Sequence, residues 1–360
     1  MSDVFRLLDE RGQVVDGAAA LPPVEDLLAG YRAMVGARRL NEQAGALVRQ
    51  GRLAVYPSSR GQEACQVAAV AVLDERDWLF PTYRDTAAVV ARGVPPAEAL
   101  TLLRGTWHCG YDPIATRVAP QATPLATQLP HAVGVAHAAR LKGEDTVVLA
   151  MCGDGGTSEG DFHEALNFAA VFAAPVVFLV QNNKYAISVP LARQSAAASL
   201  ADKGIGYGMP SVLVDGNDFA ALTTVLTDAV RRARAGGGPT LVEADTYRVD
   251  AHTNADDASR YRDDEEVAGW LARDPLLRLR AHLVERGALD ADLEAELTEE
   301  AEAMAARVRA DLAGDDVVDP DELFAHVYAT RTTQLAEQAA LLRAELAEDA
   351  ELAQDAGVAR

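Results

Sequence analysis

The sequence predicts an α/β protein: a mostly parallel sheet covered by helices on both faces, with helical extensions at both ends. Three observations carry that prediction. Short apolar runs rich in β-branched residues recur after residue 145 without polar alternation, as in DTVVLAM and PVVFLVQ. Each is separated from the next by a helix-length segment, and this rhythm of fully apolar strands and helices marks a sheet buried on both sides. The first run breaks off in MCGDGGTSEGD, residues 151–161, a glycine-rich turn leading to a helix.

Residues 4–15 read as two short extended pieces around a turn at Asp9–Gly12. Pro22 and Pro23 open a helix whose apolar Leu27, Leu28, Tyr31, Met34, Val35, Leu47 and Val48 fall mostly at helical spacing. Helices are predicted again over 60–73, 85–93 and 95–105. Between Gly105 and Thr123 the pattern disappears, which predicts a long loop near a site. Strands are predicted over 145–151, 175–181, 211–214 and 239–249, with helices over 160–172 and 218–238, the latter ended by glycines. From 264 to about 350 the chain is rich in Ala, Leu and Glu and reads as mostly helical, with an acidic, fraying end. The expected partition is an N-terminal extension and helix (1–55), a ligand-binding domain (56–265) and a C-terminal helical region (266–360).

Composition narrows the function. Apolar residues make up 49% of 360, enough for a substantial core, and the net charge is −21. Such a surface repels phosphate backbones and anionic membranes, which argues against nucleic acid or membrane as the main partner. The cysteines, Cys65, Cys109 and Cys152, form no CxxC pair, which speaks against a disulfide framework or cysteine-based zinc site. With no secretory stretch or membrane-spanning run evident, a cytoplasmic protein is expected.

The glycine turn carries the chemistry. It follows the carboxyl end of a parallel strand, where such sheets place ligands, and the amides of the following helix favour an anion. Asp154 would repel that anion unless a divalent cation lay between them. Magnesium, which takes hard oxygen ligands and is shared between carboxylates and phosphates, resolves the conflict. The next strand ends in QNNKYAIS, so Asn182 and Asn183 offer side-chain oxygens and the turn near Tyr185 offers backbone carbonyls. A dinucleotide-binding glycine fingerprint is the weaker reading, because Ser158 stands where its third glycine belongs.

GDG, 26 intervening residues and NN resemble the thiamine diphosphate signature. The resemblance extends through RQGRLAVYPSSRGQEA, PTYRD, TPLATQLPHAVGVAHAARL, SEGDFHEALNFAAVF, VDGNDFAAL, EADTYRVDAHTNADDASRYR and DPLLRLRAHL. These occur in the order seen in the α subunits of 2-oxo acid dehydrogenase E1 components and cover roughly residues 25–285. The resemblance implies a thiamine-diphosphate-binding fold in which Asp154, Asn183 and the Tyr185 carbonyl bind Mg2+. Tyr83 and Arg84 match the pair that contacts the diphosphate, Thr123 a hydroxyl beside it, and Leu125 an apolar residue near the cofactor rings. Gly153, Gly155, Gly156 and Arg248 complete the implied cofactor-binding set. His252 matches the second histidine of the family's His-rich loop, where an imidazole can serve a developing oxyanion or a lipoyl sulfur.

Departures are few. Gln181 replaces an arginine frequent in branched-chain forms. Ala122 weakens the case for a monovalent-cation site, although Thr127 and Gln128 remain. Asp250 and Ala251 occupy the place of the first loop histidine. Thr253 stands where mammalian relatives carry a phosphorylated serine, and no such control is expected here. Adjacent His108 and Cys109 make a poor nucleophile pair. The resemblance further implies a partner β subunit that supplies the glutamate activating the cofactor, in an α2β2 heterotetramer, and acyl transfer to the lipoyl domain of an E2 acyltransferase. A branched-chain 2-oxo acid is the favoured substrate, with pyruvate next. Acetoin cleavage and a non-catalytic assembly role complete the alternatives.

Overall fold

The computed structural model describes residues 4–314 and 319–355. In chain order its strands are β1 Trp78–Phe80, β2 Val148–Gly153, β3 Val176–Asn182, the small pair β4 Tyr185–Ala186 and β5 Val189–Pro190, then β6 Ser211–Asp215 and β7 Thr240–Asp245. Five of them form one parallel sheet in the order β1-β2-β3-β7-β6, and β4 and β5 make a separate antiparallel hairpin.

Both faces of the sheet are dry. Leu149 and Met151 of β2 and Val177 and Leu179 of β3 pack into one apolar cluster. Their alternates Val148, Ala150, Cys152, Val176, Phe178 and Val180 pack into another. Because successive side chains point to opposite faces, burial on both sides removes the polar alternation that a half-exposed strand would show. Helices Val24–Arg49, Glu63–Ala71 and Phe219–Arg234 cover the first face through Leu27, Met34, Val67 and Leu226. Helices Gln128–Lys142 and Gly160–Val171 cover the second through Leu129, Ala132, Phe162 and Leu166. Truncating Phe178, fully buried in β3, to alanine would cost about 3–5 kcal/mol.

The N-terminal extended pieces form as isolated bridges, Leu8 with Val14 and Phe5 with Val214 beside β6. Asp218 caps the Phe219–Arg234 helix through Ala221 N and also accepts from Leu7 N and Leu8 N, both at 2.7 Å. One carboxylate thus ties the chain start to the sheet.

Some elements differ from the sequence expectation. β1, only three residues long, is too short to show a period. The Gln128–Lys142 helix carries its apolar residues around much of its circumference and buries mainly small ones, so no stripe marks it. β7 stops at Asp245, short of the expected 249, because the chain leaves the sheet there. A 3-10 turn, Asp154–Ser158, intervenes before the Gly160–Val171 helix, so its amides, not those of the helix, lie beside Asp154. The 105–123 loop contains one helical turn, Pro113–Thr116, and bridges Leu79 and Thr82 through Val118 and Ala122.

Residues Met1–Ala313 form one compact unit and Gly314–Arg360 a second, in which helices Glu322–Ala325 and Thr333–Asp355 are joined by an Arg343–Asp321 ion pair. Among the described residues no helix is long and apolar enough to cross a membrane.

Candidate active site

The segments leaving the carboxyl ends of β1, β2, β3 and β7 surround a cleft of about 470 Å³. Tyr83 and Arg84 reach it after β1, and Gly153, Asp154, Gly155 and Gly156 at the end of β2. Asn183 and Tyr185 arrive after β3, Arg248 and His252 after β7, and Thr123 and Leu125 from the loop beside β1. The twelve residues that the resemblance implies for cofactor, metal and catalysis therefore line one cavity. A larger depression, about 570 Å³, lies between Pro22 and Phe219 and contains none of them.

Asp154 is fully buried. Burial pushes its carboxyl up from the ordinary range, opposed by hydrogen bonds from Gln194 Nε2 at 2.7 Å and Asn183 N at 3.3 Å. The Asn183 Oδ1 lies 3.2 Å from Asp154 Oδ1 and 3.1 Å from the Tyr185 carbonyl oxygen. As NH2, that end of the amide would donate to both; as oxygen, it makes a third acceptor beside them, with no proton between. Ligand distances of about 2.0–2.1 Å set adjacent oxygens of an octahedral Mg2+ about 3 Å apart, so the set fits that cation. Among the described residues no group of three or more His, Cys, Asp or Glu side chains forms a metal cage, and this mixed set of carboxylate, amide and carbonyl is the alternative. Asn182 turns the other way and donates to Glu243 Oε1 at 2.6 Å, so of the two asparagines only Asn183 faces the cleft.

The backbone around these oxygens is held in unusual conformations. Lys184 and Ile187, on either side of Tyr185–Ala186, have φ of 77° and 55°, and Ala126 beside Leu125 has φ of 63°. Left-handed backbone at non-glycine residues stores strain that the surroundings must hold in place. Arg248 does so at the hairpin, donating to Tyr185 O at 3.1 Å and Ile187 O at 2.7 Å. Gly155 is required for a different reason: a Cβ there would sit 2.7 Å from Ala186 Cβ.

Arg84 bridges two walls of the cleft. Its guanidinium donates to Ser58 O at 2.7 Å and His252 O at 3.1 Å, and lies 2.9 Å from His252 Nδ1. A guanidinium only donates, so Nδ1 accepts and the neutral ring carries its proton on Nε2. Burial, then Arg84 and Arg248, lower the His252 pKa to about 4 despite Asp256, whose carboxylate accepts from His252 N at 2.8 Å. The imidazole is thus neutral at physiological pH, a hydrogen-bond donor and not a store of positive charge. Leu125 and Ile187 line the cleft although 44% and 56% exposed, leaving an apolar wall uncovered within this chain.

Other sequence candidates stay apart from this cleft. Cys109 Sγ bonds Tyr111 O at 3.2 Å, and His108 packs against Trp107, so no nucleophile pair forms. Gln128 donates to Met151 O at 2.7 Å within the core. No motif pointed to Gln194, which comes from a loop and holds Asp154. Nor did any single out Gln62, whose side chain reaches Asn183 at 3.1 Å.

Comparison with known proteins identifies the family. The profile of the family described as "Dehydrogenase E1 component" matches residues 31–312. The chain is 50% identical over 325 residues to the 3-methyl-2-oxobutanoate dehydrogenase subunit alpha of Mycobacterium tuberculosis, covering 90% of this chain and 89% of that protein. It is 40% identical over 304 residues to the pyruvate dehydrogenase E1 component subunit alpha of Staphylococcus aureus, covering 84% and 82% respectively. A profile spanning most of the chain, with relatives aligned over nearly their whole length, establishes that this protein belongs to the dehydrogenase E1 component family, as an α-type member of the thiamine-dependent 2-oxo acid dehydrogenases.

Proposed function

We propose that this chain, with a β subunit in an α2β2 heterotetramer, oxidatively decarboxylates branched-chain 2-oxo acids and passes the acyl group to the lipoyl domain of an E2 acyltransferase. The observation that carries the reading is the convergence of the twelve residues on one cleft, with three oxygens spaced for a hard cation and two guanidinium groups nearby. Thiamine diphosphate, when bound, supplies the electron sink for decarboxylation.

The chain's own residues bind and orient that cofactor. Asp154, Asn183 and the Tyr185 carbonyl hold Mg2+, which neutralises the diphosphate. Tyr83, Arg84, Arg248 and the Thr123 hydroxyl, which line the same cleft, would hold the diphosphate, and Gly153, Gly155 and Gly156 would let it approach the backbone. Leu125 would offer an apolar surface to the cofactor rings. His252 offers its Nε2–H to a developing oxyanion or to the dithiolane sulfur of the lipoyl group. Among the described residues Asp154 is the one carboxylate lining the cleft, and the metal claims it. The family resemblance assigns the carboxylate that would activate the cofactor to the β subunit. The cysteines are unpaired, in keeping with a cytoplasmic enzyme.

The substrate assignment leans on the relative that is 50% identical, against 40% for the pyruvate enzyme. Pyruvate is the second reading, because one methylene in an apolar pocket changes discrimination by only about 1–3 kcal/mol. Comparing kcat/KM for 3-methyl-2-oxobutanoate and pyruvate with the native β partner decides the matter. A higher value for the branched-chain acid is expected, and a preference for pyruvate overturns the assignment.

A further inference from the structure

We infer that Asp85, acting through Gln181 and Gln62, holds the Asn183 amide with its oxygen toward the cation position. The inference rests on the reading of the cleft as a Mg2+ site. The four side chains are buried, from 0% exposed at Asp85 to 5% at Asn183, and they form one line of hydrogen bonds. Gln181 Nε2 donates to Asp85 Oδ1 at 2.7 Å, Gln62 Nε2 to Gln181 Oε1 at 2.9 Å, and Asn183 Nδ2 to Gln62 Oε1 at 3.1 Å.

A primary amide has a donor end and an acceptor end, so each orientation in such a line fixes the next. Taken alone, Asn183 would gain from turning over: its NH2 would then donate to Asp154 Oδ1 and Tyr185 O, closing the site without a cation. That rotation sets its oxygen 3.1 Å from Gln62 Oε1. Relief requires Gln62 and then Gln181 to rotate, ending with an amide oxygen against Asp85 Oδ1. The other oxygen of Asp85 accepts from Thr82 N and Thr82 Oγ1, both at 2.7 Å; burial pushes the carboxyl up, and these bonds with that from Gln181, every one of them donated to Asp85, oppose the rise. An acceptor-only group thus stands at one end of the relay and a metal-ready oxygen at the other. Asp85, Gln181 and Gln62 are positioning residues for the cation.

Asp85→Asn reverses the device in a defined way. The new amide oxygen stays on the Thr82 donors, its NH2 faces Gln181, and the whole line is driven to turn over. Adding Gln181→Glu restores the direction, because a carboxylate at 181 accepts from both position 85 and Gln62 at unchanged net charge. Gln62→Met severs the line without touching a charged group. The test is titration of Mn2+, followed by its electron paramagnetic resonance signal, into the α–β enzyme with saturating thiamine diphosphate. Wild-type enzyme should bind Mn2+ stoichiometrically, D85N and Q62M roughly 10–100-fold more weakly, and D85N/Q181E close to wild type. Absence of Mn2+ binding by the wild-type enzyme would overturn the metal reading itself. Wild-type affinity in D85N or Q62M, or no recovery in D85N/Q181E, overturns the relay while leaving the metal reading intact.

Discussion

Replacing Gly155 by alanine puts a methyl group where the β4–β5 hairpin already is. The new Cβ would lie 2.7 Å from Ala186 Cβ and 3.4 Å from Ala186 Cα. Carbon atoms in contact prefer about 3.5–4.0 Å, so the two segments must part by roughly 1 Å. The hairpin is the side that yields, since it has two residues per strand, whereas β2 is locked between β1 and β3. Its displacement carries the Tyr185 carbonyl away from Asp154 and Asn183. Overpacking of this kind costs about 1–3 kcal/mol. If that cost falls on the cofactor-competent geometry, Mg2+-dependent affinity for thiamine diphosphate drops roughly 5- to 160-fold. Calorimetric titration of the α–β enzyme measures it, with thermal unfolding as a control for global damage. The double variant G155A/A186G removes the opposing methyl and should return affinity to near wild type. Wild-type affinity in G155A, or a double variant no better than the single, would refute the reasoning.

Other predictions concern the histidine and the missing half-site. His252→Ala should impair acyl transfer to lipoyl more than decarboxylation followed with an artificial electron acceptor; equal losses would instead indicate a role in ordering the cofactor. In the folded protein burial, with Arg84 and Arg248, depresses the ring pKa from 6.5 to about 4. The unfolded chain therefore binds the extra proton first, and the stability due to the neutral ring is present above about pH 6.5 and lost as pH falls toward 4. Imidazole NMR should show no His252 titration between pH 6 and 8, and Arg84→Met should raise the midpoint. The purified α chain alone should show no decarboxylase turnover and should gain it when the β subunit is added.

Much of the site was legible because its oxygens come from turns directly at strand ends. Once β2 and β3 are recognised as parallel neighbours, the spacing of Asp154 and Asn183 brings them together, and their registered pairing ends at Gly153 and Gln181. The relay was not legible for the converse reason. Gln62, Asp85 and Gln181 come from three separate segments, and the direction of an amide is a property of its neighbours in space. The neutrality of His252 likewise depends on its burial and on Arg84, 168 residues away in sequence. In the fold, long buried strands announced themselves by composition. β1 did not, because three residues cannot display a period, and the Gln128–Lys142 helix did not, because small side chains suffice for its contacts.

The left-handed residues that flank β4 bear on how this enzyme would respond to selection. Lys184 and Ile187 occupy φ of 77° and 55°, where a side chain with a Cβ is costly and glycine is at ease. A library screened for heat tolerance alone would gain by relaxing these two positions, whereas one screened for turnover would retain the stiffness that keeps the Tyr185 carbonyl aimed. Thermal hardening and catalytic competence thus pull this short turn in opposite directions, and a consensus-driven redesign should leave it untouched.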